Sequence, residues 1–146
     1  MGAQNHPREN HFEFRDHPIT LQQYRMNIQA QVLAFVECSC GFKTFVPTVY
    51  CPQCKRPRPQ DTTWQKIEGS GKISSYCVIY VGPPELRDLI PYISVIVDFG
   101  EGLRITSLLL EPFDGQHPPE DLIGTEVVPN FLLREDDTRL LVMRKK

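Results

Sequence analysis

Long apolar runs are missing from these 146 residues. The stretch from Ile90 to Phe99 is broken by Pro91 and Asp98, and a bilayer-spanning helix needs roughly 18 consecutive apolar residues. No transmembrane segment is therefore expected. An excess of either charge is missing too, with 16 Lys and Arg against 18 Asp and Glu, for a net −2. That balance excludes a strongly basic nucleic-acid binder and a polyacidic tail protein. The opening residues hold no apolar stretch of the kind a secretory leader requires, and His6 stands where myristoylation requires Ser or Thr. The expected location is the cytoplasm. There is also no G-x-S-x-G, phosphate loop or dinucleotide fingerprint. His117 sits in a Gly-Gln-His-Pro-Pro segment with no nucleophile beside it. Asp114, Glu120 and Asp121 read as a solvated acidic turn, so no catalytic residue is expected.

What is present describes a globular chain. Hydrophobic residues make up 40% and charged residues 23%, a composition that can build a core. The 13 prolines favour short segments and turns over long helices. Residues 1–18 read as a flexible polar arm carrying His6, His11 and His17, with no fixed metal-ligand spacing. Residues 19–35 read as a helical lead-in capped by Thr20, with Leu21, Tyr24, Met26, Ile28, Val32 and Phe35 loosely on one side.

Residues 36–60 change character and hold four of the five cysteines. From 61 to 146 the pattern turns to short strands: Trp64–Ile67, Lys72–Val81, Tyr92–Asp98, Leu103–Leu110, Thr125–Leu133 and Arg139–Arg144. Gly-Glu-Gly at 100–102 suits a hairpin. So few short strands fit a small closed barrel, which leaves no exposed edges. Gly71 and Gly124 fall where such strands must bend. The fold expected is mainly β with an N-terminal helix, a small ribbon and a barrel.

The cysteines carry the clearest chemistry. Cys38-Ser-Cys40-Gly41 is followed by Cys51-Pro-Gln-Cys54, with ten residues between Cys40 and Cys51. Two such turns can fold over one ion and present four thiolates, the set a structural Zn²⁺ takes at about 2.3 Å per bond. The segment between them is too short to fold alone, and metal binding can supply the missing stability. Iron in the same four-sulfur cage is the alternative that ligand type leaves open. Four thiolates leave no free position for catalysis at the metal. Cys77, inside a strand, reads as a buried small apolar residue.

A ribbon followed by a barrel raises single-stranded nucleic acid as a partner. The charge distribution opposes it. Residues 1–60 carry seven basic against four acidic side chains, whereas residues 61–146 carry nine against fourteen. An acidic barrel repels phosphates and forgoes counterion release. Lys55, Arg56 and Arg58 form a local basic patch. It could take the phosphates of coenzyme A held mainly by another subunit, or simply be a solvated turn.

Together these features resemble the acyl-CoA-associated zinc-ribbon/OB-fold family long catalogued as a domain of unknown function. The matching residues are the leading helix, Cys38-Ser-Cys40-Gly41, Cys51-Pro-Gln-Cys54, and Trp64 followed by Gly69-Ser70-Gly71-Lys72-Ile73. Further on come Pro91 before the Tyr92–Asp98 strand, Gly100-Glu101-Gly102-Leu103-Arg104 and Leu122-Ile123-Gly124-Thr125-Glu126-Val127. The resemblance spans residues 20–144 in order. It departs at the first pair, C-x-C here where the family shows C-x-x-C. It implies a rubredoxin-like zinc ribbon with Cys38, Cys40, Cys51 and Cys54 on a structural Zn²⁺, followed by an OB barrel. It also implies a non-catalytic subunit bound to a thiolase-like protein in a hetero-oligomer, a heterotetramer, with CoA or acyl-CoA met only through that partner. The alternative class is a free-standing acyl-CoA carrier.

Overall fold

The computed structural model describes residues 18–59, 61–110 and 122–146. His6, His11, His17, Asp114, His117, Glu120 and Asp121 lie outside the described residues.

Helix α1 runs Leu21–Gln29, and Thr20 caps it by accepting a hydrogen bond from the Gln23 N–H at 3.0 Å. It is shorter than the 19–35 span expected from the sequence. The chain turns at Gln31, which takes a left-handed φ of 62°, while the N–H groups of Ala30 and Val32 bond back to the Met26 and Asn27 carbonyls. Beyond it, Ala34–Glu37 is a strand, β1, with Ala34 and Val36 buried and Phe35 half-buried between them. The stretch from Val32 to Val36 holds two β-branched residues and an aromatic, which pack better on a pleated sheet than in a helix.

The helix face also differs from expectation. Gln23 and Asn27 are its buried residues, joined by a 2.8 Å bond from Gln23 Nε2 to Asn27 Oδ1. Leu21 and Met26 are about half exposed.

Strands β2 (Lys43–Thr44) and β3 (Trp64–Lys66) flank β1 in an antiparallel sheet ordered β2-β1-β3. Trp64 thus belongs to the ribbon sheet, opposite Val36, and not to the barrel. It is 2% exposed, and its indole N–H donates to the Pro18 carbonyl at 3.0 Å.

Five strands close the barrel: β4 (Gly71–Ile79), β5 (Tyr92–Asp98), β6 (Arg104–Leu109), β7 (Glu126–Leu133) and β8 (Arg139–Lys145). Their order is β4-β5-β6-β8-β7, with β4 also pairing β7. The β6–β8 pair is parallel and the others are antiparallel. This is the five-stranded OB-like architecture expected, and each sequence-read strand lies within two residues of the observed one.

In β4 the register slips at Ser74, so that Ile73 faces Val97 while Tyr76 faces Val95. The extra residue inverts the alternation beyond it. Tyr76 and Val78 thereby turn inward, and Cys77, opposite Ser94, turns outward. Cys77 is exposed, contrary to its sequence reading.

The core is continuous between the two parts. Val95, Val97, Val127 and Met143 of the barrel belong to one cluster with Leu33, Phe45 and Ile67 from the ribbon side. At the seam, Lys43 Nζ donates to Glu101 Oε1 at 2.6 Å and lies 5.9 Å from the centre of the Phe35 ring. A 3₁₀ helix, Pro84–Leu89, links β4 to β5 and is tied to the β7–β8 turn by Arg134, 2.6 Å from Asp88. Among the described residues, no helix is long and apolar enough to cross a membrane.

Barrel closure presses hardest at Gly71. A Cβ there would lie 2.6 Å from Val97 Cγ1 and 2.9 Å from the Asp98 carbonyl oxygen. Gly71→Ala should destabilise the chain by about 1–3 kcal/mol through overpacking, read as a lower denaturant midpoint with an unchanged slope. An unchanged midpoint would contradict this close approach.

Candidate metal centre

Two tight turns bring the four cysteines together. In the first, Cys38 N–H donates to the Phe42 carbonyl and Gly41 N–H to the Cys38 carbonyl, both at 2.8 Å. Gly41 takes a φ of 94°, a conformation that glycine adopts without a Cβ penalty. In the second, Cys51 N–H donates to the Arg56 carbonyl and Lys55 N–H to the Cys51 carbonyl, both at 2.9 Å. A Tyr50–Pro57 bridge and an Arg58 N–H bond to the Val49 carbonyl extend that turn. Each turn projects both of its thiols to one side.

All four sulfurs lie within 4.8 Å of one another. Cys38 Sγ is 3.6 Å from Cys54 Sγ, and Cys40 Sγ is 3.6 Å from Cys51 Sγ. A tetrahedron with metal–sulfur bonds of about 2.3 Å requires sulfur–sulfur separations of about 3.8 Å. The donor set and its spacing therefore fit one tetrahedral ion. The tighter C-x-C spacing does not keep Cys38 out of the group.

The electrostatics favour thiolate at two of the four positions. Cys38 is drawn down to about 6, first by a hydrogen bond from the Cys40 backbone N–H and then by its thiol neighbours, against burial. Cys51 is also lowered, chiefly by the Cys54 backbone N–H, which approaches its sulfur at 3.5 Å. Cys40 moves the other way, to about 11. The Phe42 N–H pulls it down, but burial and the sharing of protons with Cys51, Cys38 and Cys54 outweigh that bond. A divalent ion would remove the conflict by stabilising all four thiolates.

Lys55, Arg56 and Arg58 do not share one surface. Lys55 and Arg56 are exposed at the tip of the second turn. Arg58 turns back and lines a small crevice with Cys38, Cys51, Val36 and Thr48. Burial lowers the Arg58 pKa, whereas the charges of Cys38 and Cys51 raise it. Nothing in the cysteine spacing signals this placement. It follows from the bond between Arg58 and Val49, which a hairpin reading of residues 49–58 could have found.

Two substitutions follow from this geometry. Cys51→Ser should abolish stoichiometric binding of one Zn²⁺ or Co²⁺ and remove exchange protection from β1–β3. Arg58→Met should retain the ion yet weaken it about tenfold, as loss of an outer-shell partner does. Chelator competition and cobalt absorbance measure both. Full metal content in Cys51→Ser, or unaltered affinity in Arg58→Met, would contradict the site as drawn.

Comparison with known proteins agrees with this architecture. The family described as the C-terminal OB-fold domain of ChsH2 matches residues 64–132. A DUF35 domain-containing scaffold protein of Methanothermobacter thermautotrophicus is 33% identical over 93 residues, covering 63% of this chain and 68% of the relative. Its counterpart in Methanocaldococcus jannaschii is 29% identical over 121 residues, covering 82% and 81%. Among solved structures, a chain of the Ltp2-ChsH2(DUF35) aldolase superposes with a TM-score of 0.64 at 24% identity, over 85% of this chain and 92% of that one. A Sulfolobus solfataricus DUF35 protein of unknown function gives 0.55 at 15% identity, over 99% and 97%. On its sequence relatives and its architecture, this chain belongs to the DUF35 family.

Proposed function

We propose that this chain is the non-catalytic, zinc-bearing small subunit of a thiolase-fold acyl-CoA enzyme. The observation that carries the reading is the fusion of a four-cysteine ribbon to an OB barrel through one shared core. The same kind of chain is paired with an enzyme in the Ltp2-ChsH2(DUF35) aldolase. The sequence relatives bear the name scaffold protein.

In this role, Cys38, Cys40, Cys51 and Cys54 hold a structural Zn²⁺, and carbon–carbon bond chemistry belongs to the partner's own residues. The partner is a thiolase-like protein, and the assembly is a cytoplasmic hetero-oligomer, a heterotetramer. Exposed apolar side chains, among them Val49, Tyr50, Val81 and Leu133, supply surface for burial against it. Docking helps to close the acyl-CoA entrance, where exclusion of water favours acyl transfer over hydrolysis. Lys55 and Arg56 remain available for CoA phosphates, while Arg58 faces the cysteines. Within this class, the size and the polar N-terminal segment are most similar to the small subunit of benzoylsuccinyl-CoA thiolase of anaerobic toluene degradation.

Co-expression with a thiolase-like protein encoded beside it, followed by purification through a tag on this chain, tests the reading. A stable complex that performs thiolysis only when both chains are present is expected. A zinc-loaded chain that elutes alone and binds acyl-CoA unaided would overturn it in favour of a free-standing carrier.

A further inference from the structure

We propose that the cleft between helix α1 and the outer face of the barrel is a binding site for a small carboxylate with an apolar body. The cleft has a volume of about 380 Å³, within the range of small-ligand sites. It lies on the outer faces of β5 and β6, the second and third strands of the barrel, where Ser94 stands opposite Leu108. That face, flanked by the loops after the first and fourth strands, is where OB barrels bind their ligands. Here the loop after the first strand contributes Leu86, and Arg139 follows the loop after the fourth.

Helix α1 and Phe45 roof this face. Tyr24 packs edge-on against Phe45 at 5.2 Å and 81°. The roof leaves no open track for a polymer and room for one compact ligand.

The lining settles the chemical class. Its floor and walls are mostly aromatic and aliphatic, and Ser94 and Thr106 add hydroxyl groups. Among the described residues that line it, the charged ones are Arg25 and Arg139, and none is a carboxylate. Arg139 is held in place, since its Nη1 donates to the Gln29 carbonyl at 2.7 Å and its backbone exchanges hydrogen bonds with the Gln29 side chain. Arg25 makes no hydrogen bond or ion pair among the described residues. Two guanidinium groups beside an apolar pocket match a carboxylate attached to a hydrocarbon body, the anion accepting charge-assisted bonds while the body is desolvated. A cationic ligand would meet two like charges.

This site stands apart from the subunit reading and is tested on the full chain alone. Hexanoate is titrated against the isotope-labelled protein and followed by amide NMR, with hexanol and hexylammonium as probes of equal length. Expected are shifts confined to α1, β5, β6 and β8, with hexanoate binding at least about tenfold tighter than either control. Arg25→Gln, a change at an exposed position, should weaken hexanoate about fivefold and leave hexanol unaffected. Thr106→Trp, which fills the cleft from an exposed strand position, should abolish the shifts while the remaining spectrum stays native. No saturable shift in these strands, equal affinity for the three probes, or an Arg25→Gln protein that binds hexanoate unchanged would each overturn the proposal.

Discussion

Four thiols within 4.8 Å of one another set the constraint on which the ribbon depends. Without a cation, they cannot all ionise in so small a space, because each thiolate raises the cost of the next. The divided behaviour of Cys38 and Cys40, one drawn down to about 6 and the other pushed up to about 11, expresses that conflict. One divalent ion would resolve it and would tie the two turns together. The ribbon sheet has strands of only two to four residues, too short to hold the turns in register by themselves.

The barrel supplies the second support. Leu33, Phe45 and Ile67 enter the same core as the barrel valines, and Lys43 reaches across to Glu101. The exposed end of that ion pair adds little energy but fixes an orientation. Ribbon and barrel therefore form one packed body. Phe45, part of that shared core, also roofs the cleft beneath α1.

Much of this was legible in the sequence, and the misses have physical causes. Thr20 as a cap, the four-cysteine group and the five barrel strands follow from local chemistry and period. The helix reads too long in the sequence because residues 32–36 are all apolar, which suits either period until a sheet partner decides. Trp64 pairs with Val36, a long-range choice that local pattern cannot encode. The outward turn of Cys77 depends on one extra residue at Ser74, and a bulge leaves no mark in a string of strand-forming residues. Arg58 looked like part of a basic patch because its neighbours Lys55 and Arg56 are charged; its direction is decided by backbone pairing across the second turn. The cleft joins five distant segments and is invisible from the sequence for the same reason.

The central claim is that an ion held by the four cysteines keeps this chain competent to bind its enzyme partner. Native mass spectrometry of the co-purified complex during stepwise chelation tests it most directly. The account predicts that loss of one zinc per copy of this chain and loss of the partner occur together, and that both return on adding zinc back. A metal-free chain that stays fully bound to its partner would contradict it.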